Sequence, residues 1–387
     1  MNNFEFFNPV RILFGNDKIE KIGMQLNPTD RILMTYGGGS IKKNGTYERI
    51  KAALSNFSVF EFGGIEANPK YETLMKAVEV VKKNNVDFIL AIGGGSVIDG
   101  TKFIAAASLY EGSDPWDLLI KNIVVTKAIP FGVVLTLPAT GSEMNSGAVI
   151  SRLETREKYS FGSPVLFPKF SVLDPTLTFS LPPHQVANGI ADAFIHVMEQ
   201  YMTFPSDSPI QDRFSESILQ TLIEVGPQTL KNPSDYSLRA NFMWSCTMAL
   251  NGLLSLGVTT DWATHMIGHE LTAFFGIDHG ATLAAVYPAL LTELQEPKHE
   301  KIIQYGSRVW GLSGADLTAR NVINKTEDFF RSLGIKTRLC EYGLKQEDVA
   351  PIVERFRTRG WKLGERKNIN HEVVEAILKR ALEPYRS

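Results

Sequence analysis

Two apolar runs in the first hundred residues, RILMTY (Arg31–Tyr36) and FILAI (Phe88–Ile92), break off into the same tetrapeptide, Gly-Gly-Gly-Ser. That repetition narrows the fold. A wholly apolar run of five or six residues suits a strand buried on both faces, the usual case in a parallel sheet covered by helices. Each turn leads into a stretch of helical spacing: Tyr47–Leu54 after the first, and a run from Val97 after the second. Val10–Phe14, Ser58–Phe62, Phe131–Leu137, Ala148–Arg152 and Phe170–Leu173 also read as strands, and Tyr71–Asn84 as a helix with lysines at its end. Strands alternating with helices mean βαβ units and a mostly parallel sheet.

The two glycine turns, Gly37–Ser40 and Gly93–Ser96, suggest a ligand. Glycines between a strand and a helix let backbone N–H groups approach a phosphate, and the helix dipole favours the anion. Neither turn matches the dinucleotide fingerprint G-x-G-x-x-G. One such turn alone reads as a tight bend needing positive φ; two, each at the carboxyl end of a strand, point to a nucleotide. In the third segment, FGVVLTLPATGSE, the hydroxyls of Thr136, Thr140 and Ser142 could bond phosphate or amide groups, although alone they are ordinary turn chemistry.

From Leu181-Pro182-Pro183 the period changes. Gln185–Tyr201, Gln211–Glu224, Ser237–Leu253, Trp262–Phe275, Glu300–Trp310, Ala315–Leu333 and Val373–Leu382 scan as helices, with no convincing strand. The expected division is an α/β domain over 1–181 and an all-helical domain over 182–387.

Within that second half, DWATHMIGHELTAFFGIDH carries His265, His269 and His279, three of the chain's seven histidines. Four-residue spacing puts His265 and His269 on one helix face, roughly 6 Å apart. Met266 stands where the zinc-protease motif H-E-x-x-H needs its glutamate. A lone histidine pair is more often structural than ligating, but Asp192 and His196 repeat the spacing on another apolar helix. Buried unpaired, such groups would cost several kcal/mol; a shared cation satisfies them together. Imidazole suits Zn, Fe, Cu and Ni alike.

Composition excludes several classes. Forty basic and forty-two acidic residues give a net charge of −2, which argues against nucleic acid or an anionic membrane as partner. Cys246 and Cys340 are the only cysteines, so neither a disulfide framework nor an Fe–S cluster is expected. No signal peptide and no apolar run of membrane-spanning length is read, making the cytoplasm the expected location.

Taken together, these residues resemble the iron-containing (group III) alcohol dehydrogenase family, in its branch of butanol dehydrogenases and broad-range NADPH-dependent aldehyde reductases. RILFG, MTYGGGS, LAIGGGSVIDGTKFIAAA, LTLPATGSE, the Asp192/His196 pair and DWATHMIGHELTA…DH carry the likeness over nearly the whole chain. The resemblance implies a Rossmann-like dinucleotide domain followed by an all-helical metal domain. It also implies metal ligation of iron or zinc by Asp192, His196, His265 and His279. His269 becomes a non-ligating residue near the substrate. NADP(H) is expected on Gly37, Gly38, Gly39, Ser40, Asn68, Gly94, Gly95, Ser96, Asp99, Thr136, Thr140, Ser142 and Lys158. NAD-preferring relatives carry an aspartate after the first strand, and this chain has glycines there. A 2′-phosphate is then not repelled, and Lys42 and Lys43 stand close in sequence.

The expected reaction is hydride transfer from NADPH to a small aldehyde whose carbonyl oxygen the metal polarises, with His269 as candidate proton relay. Phe194, Ile195, Met198, Phe274 and Phe275, on the ligand-bearing helices, are expected to suit an apolar substrate. NAD-dependent polyol dehydrogenation, a dehydroquinate-synthase-like elimination and a non-catalytic nucleotide-binding regulator are the competing readings. The family's habit implies a homodimer.

Overall fold

The computed structural model describes residues 1–121 and 123–385. Among these the chain divides into two compact units, one of Phe7–Leu181 with Pro233–Thr247, the other of Met1–Phe6, Pro182–Asn232 and the chain from Met248 onward.

The first unit is built on strands β1 (Arg11–Phe14), β2 (Arg31–Tyr36), β3 (Ser58–Phe62), β4 (Phe88–Gly94), β5 (Phe131–Leu137), β6 (Gly147–Arg152), β7 (Glu157–Gly162) and β8 (Phe170–Leu173). Six of them form one sheet in the order β1-β8-β5-β4-β2-β3, with every neighbouring pair parallel. β6 and β7 make a separate antiparallel hairpin, of which the apolar pattern announces only β6. Helices α1 (Thr46–Ala53), α2 (Tyr71–Lys83), α3 (Gly95–Ala107) and α4 (Asp117–Ile120) complete the unit. Both faces of the sheet are buried, as its apolar strands require. Ile32, Met34, Leu90, Ile92, Val134 and Phe170 pack on one side. The alternate residues Leu33, Ile89, Ala91, Val133 and Leu135 meet α3 on the other.

The glycine turns differ from each other. β4 runs on through Gly93 and Gly94, and α3 starts at once with Gly95, two residues before the helix expected from spacing. None of these three glycines has positive φ. They are needed for closeness instead: a Cβ would stand 2.5 Å from Val97 at Gly93, 2.9 Å from Leu137 at Gly94 and 2.5 Å from Thr140 at Gly95. The first turn leads only into a three-residue 3-10 turn, Ser40–Lys42, and α1 begins later, at Thr46. Here Gly39 does have positive φ, at 88°, and the space beside Gly38 and Gly39 is open.

The second unit is helical: α5 (Pro183–Tyr201), α6 (Pro209–Lys231), α8 (Ala263–Phe275), α9 (His279–Glu293), α10 (His299–Arg308), α11 (Ala319–Ser332), α12 (Gln346–Arg359) and α13 (His371–Leu382), while α7 (Tyr236–Ala249) falls almost wholly in the first. The division between units falls inside α7, after Thr247. Its first part belongs with the sheet because Met243 sits in that core and Trp244 meets Phe14 edge-on, centroids 6.0 Å apart. α9 and α12 escape the reading of the sequence. α9 is buried from Gly280 to Leu291, so it is apolar all round and has no amphipathic period to detect; α9 and α12 each also contain a proline, Pro288 and Pro351. α5 and α9 pack together as the centre of this unit, flanked by α6, α8, α11 and α13. Among the described residues no helix is long and apolar enough to cross a membrane.

Candidate active site

Three imidazoles of the helical unit converge on one carboxylate oxygen, that of Asp192. Asp192 and His196 lie one turn apart on α5, deep among apolar neighbours; His265 lies on the first turn of α8, and His279 is the first residue of α9. The Nε2 atoms of His196, His265 and His279 stand 3.6, 3.7 and 3.8 Å from Asp192 Oδ1. These distances are too long for hydrogen bonds. Two ligands bound tetrahedrally at 2.0–2.1 Å to one cation stand about 3.4 Å apart, which is close to what is seen. Asp192, His265 and His279 each place a ligand atom within 4.8 Å of the others. His196 joins them through Asp192, its ring stacked on His265 at 4.5 Å between centroids.

Burial tests whether these groups fit a cation. Asp192 Oδ1 and His265 Nε2 are shut from water and have no hydrogen-bond partner. Leaving such atoms unsatisfied is costly, and a divalent cation satisfies both at once. The charges agree. Burial alone would raise the Asp192 carboxyl, but the three imidazoles hold it well below the usual carboxylate range. Burial pushes His196 down to about 4, against the pull of Asp192, so its ring is neutral at pH 7. Burial would lower His265 as well, yet Asp192 and Glu199 raise it to about 9. A cation binding there takes the place of a proton.

His269 is not part of this cluster. It lies one turn after His265 on α8, half-buried, its ring 6.3 Å from that of His265 and 5.0 Å from that of His279. The expected apolar lining is only partly available. Phe194, Ile195 and Met198 are wholly buried, and Phe194 packs on Phe329 and Phe330 in the core. Only Phe274 and Phe275 are half-open, with the Arg355 guanidinium 4.3 Å above the Phe274 ring. Of the five residues expected to suit a small apolar substrate, these two alone are free to do so.

In the α/β unit the structure draws six of the thirteen expected cofactor residues into two hydrogen-bonded groups. Ser96, on the first turn of α3, accepts from the Asn68 N–H at 3.2 Å, and Lys158 on β7 donates to Asn68 Oδ1 at 2.9 Å. Asn68 has positive φ, 55°. The second group centres on Lys102, which sequence reasoning missed. Its ammonium, fully buried, donates to Ser142 Oγ at 2.7 Å, Asn145 Oδ1 at 3.0 Å and the Gly147 carbonyl at 2.7 Å. Ser142 passes the chain on to Asp99 Oδ1 at 2.6 Å, and the Val149 N–H meets Asp99 Oδ2 at 2.9 Å. Burial lowers Lys102 to about 8, opposed by Asp99 and Glu143. The Ser142 hydroxyl is therefore occupied inside the protein, 2% exposed, rather than open to a ligand. Thr140 Oγ1 accepts from the Ser142 N–H at 3.2 Å, and Thr136 lies half-buried near the end of β5. A signal for Lys102 was present: it is the one charge between Asp99 and Glu111 in an otherwise apolar helix. Ser40 is exposed beside open Gly38 and Gly39, whereas Lys42 leans back over the rings of Tyr36 and Tyr47, 3.6 Å from Glu61.

Comparison with known proteins covers the same ground from end to end. Residues 9–175 match the family model described as iron-containing alcohol dehydrogenase, and residues 186–382 match the C-terminal model of the Fe-containing alcohol dehydrogenase family. The chain is 51% identical to the NADPH-dependent aldehyde reductase YqhD of Escherichia coli, over the full length of both. It is 41% identical to NADH-dependent butanol dehydrogenase A of Clostridium acetobutylicum, over 98% of this chain and 100% of that one. The crystal structure of Escherichia coli YqhD superposes with a TM-score of 0.96, covering 98% of this chain and 99% of that one. NADH-dependent butanol dehydrogenase A of Thermotoga maritima, 36% identical, superposes at 0.94 over 99% of each chain. By both of its halves, the chain belongs to the iron-containing alcohol dehydrogenase family.

Proposed function

We propose that this protein is a metal-dependent alcohol dehydrogenase working as an NADPH-linked aldehyde reductase, with its nucleotide on the α/β half and its metal on the helical half. The observation that carries the reading is the placing of three imidazole nitrogens 3.6–3.8 Å from one buried, unpartnered carboxylate oxygen. Asp192, His196, His265 and His279 would hold the cation; iron and zinc both suit one carboxylate and three imidazoles. When bound, the cation supplies Lewis acidity for a carbonyl and NADPH supplies the hydride.

The chain's own residues have separable tasks. Gly94, Gly95 and Ser96, where β4 meets the N-terminus of α3, offer N–H groups to a pyrophosphate. Gly37, Gly38, Gly39 and Ser40 receive the 2′-phosphate. Asn68, Lys158, Asp99, Thr136 and Thr140 surround the rest of the nucleotide, with Ser142 and Lys102 holding Asp99 from behind. His269, beside His279, moves a proton between product oxygen and solvent.

Relatives named for NADPH and for NADH resemble this chain at 51% and 41% identity, so the choice rests on local chemistry. No carboxylate follows β2 in the Gly37–Ser40 turn. A Gly38→Asp substitution has open space for its side chain, and its charge would meet a 2′-phosphate. We expect KM for NADPH to rise at least about tenfold, the worth of one charge–charge term of about 1.4 kcal/mol, with KM for NADH unchanged or lower. Equal KM changes for both cofactors would place the 2′-phosphate elsewhere.

The reaction class is tested by initial rates of NADPH oxidation with butanal after chelation and resupply of Fe²⁺ or Zn²⁺. The expected result is loss of turnover on chelation and its return with one equivalent of metal. Release of phosphate from a sugar-phosphate analogue without net NADPH consumption would instead support the elimination reading.

A further inference from the structure

We propose that Glu199 is a positioning residue for His265, fixing which of its two nitrogens carries the proton and so which one is free to bind metal. This role rests on the proposed metal site and concerns a residue outside the four ligands. Glu199 lies on α5, seven residues after Asp192 and three after His196, on the same face of that helix, and it is 3% exposed. Its Oε2 stands 3.0 Å from His265 Nδ1, and its Oε1 accepts from the Thr264 N–H at 2.8 Å. The His265 N–H is 3.4 Å from Oε2.

Two features of α8 make this contact unusual. The helix opens on Trp262 with φ of 71°, a left-handed residue that supplies no side-chain cap. The first N–H groups must therefore be satisfied from elsewhere. Asp261 takes the N–H of Ala263 at 2.8 Å, and Glu199 takes the next two. Glu199 thus lies against the N-terminus of α8, where the dipole favours a carboxylate, and a carboxylate only accepts. His265 Nδ1 must then be the donor. Nδ1 keeps its proton when a cation displaces the one on Nε2, the nitrogen that faces Asp192 Oδ1 at 3.7 Å. Ligating histidines commonly have their second nitrogen anchored in this way. Here α5 supplies two ligands and the anchor of a third, so a rotation of α8 about its axis would break the cap and misaim the ligand together.

Glu199→Gln separates the two roles. The amide oxygen can still accept from Thr264, so the cap survives in part, and the volume is kept. The amide NH₂ would face Nδ1 and favour the opposite tautomer, with the proton on the nitrogen aimed at the metal. Titration of metal-free protein with Zn²⁺ and with Co²⁺ should show about 10- to 100-fold weaker binding in the variant. The Co²⁺ visible spectrum should change, and the Tm of the metal-free protein should stay within a few degrees of the parent. Unchanged affinity and spectrum, or an affinity loss that only follows a large fall in metal-free Tm, would reduce Glu199 to a helix cap and overturn the proposal.

A second measurement does not depend on the variant's folding. In Zn²⁺-loaded parent protein labelled with ¹⁵N-histidine, His265 should show a protonated Nδ1 and a metal-bound Nε2; the reverse assignment overturns the proposal. If the parent protein binds neither cation, the metal reading fails as well. If parent and variant bind equally, only the role of Glu199 fails.

Discussion

Alanine in place of Asp192 should leave the protein folded but nearly without metal. We expect bound iron or zinc to fall from about one equivalent to below about a tenth, and kcat to fall about a thousandfold, the scale on which Lewis-acid stabilisation acts. The reason is the central position of this residue. It is the only carboxylate of the ligand set, and its Oδ1 lies within 3.8 Å of all three imidazole Nε2 atoms. Without it three neutral or positive rings face one another, and nothing offsets the charge of an arriving cation. Asp192→Asn keeps the size and one oxygen but not the charge, so it should lie between parent and alanine variant in metal content. Elemental analysis of purified protein, set beside steady-state NADPH oxidation, checks both. An alanine variant that retained a full equivalent would show that the cation sits elsewhere.

The second large effect concerns a glycine. In a helix, Gly→Ala normally stabilises by about 1 kcal/mol. At Gly280 the sign should reverse. This residue follows His279 in the first turn of α9, and a Cβ there would run into the Asn188 carbonyl of α5, 2.8 Å from its carbon and 3.0 Å from Asn188 Cα. These are backbone atoms of a packed helix and cannot swing aside. Gly280→Ala should therefore destabilise by about 1–3 kcal/mol, the usual range for overpacking, and weaken metal binding because His279 moves with the helix end. Gly226 on α6 is the control. Its added Cβ would press only on the Ile190 side chain, at 3.2 and 3.3 Å, which can yield by a few tenths of an ångström. Gly226→Ala, just before Pro227, should cost clearly less than Gly280→Ala and leave metal affinity alone. Chemical denaturation of the two variants, with and without Zn²⁺, checks the contrast; equal behaviour would mean that the α5–α9 approach is less tight than described.

Some elements are legible in the sequence and others are hidden, for physical reasons. The inner strands β2, β4, β5 and β8 are legible because burial makes them almost wholly apolar, and the turns after β2 and β4 because glycines form them. α9 is hidden for a related cause: a helix surrounded by protein needs no polar face, and HGATLAAVYPALLTE has no period to read. The histidine pair shows the limit of spacing. His265 and His269 do share a side of α8, yet spacing fixes a side and not a depth, and ligation needs nitrogens to meet at a point. His265 reaches Asp192, while His269 lies beside His279 outside the cluster. The family resemblance, not the periodicity, separates the two. Glu199 could be found from the residues alone: a glutamate on the same face of α5 as Asp192 and His196 is too costly to bury without a task. Lys102 carries the same kind of signal.

The path of the chain through its two units bears on how the protein can be made. The α/β unit is not finished at Leu181, because Met243 and Trp244, from the segment Pro233–Thr247, complete its packing against the core and Phe14. A nascent chain emerging from the ribosome must therefore hold an incomplete sheet unit while the first two helices of the other unit are being synthesised. A gene fragment cut at residue 181 would leave the Met243 site in that core empty and apolar, so it should be prone to aggregation. A fragment that stopped at Thr247 would close the core but carry α5 and α6 without their partners. The two halves of this enzyme are separable by architecture, and not by scissors.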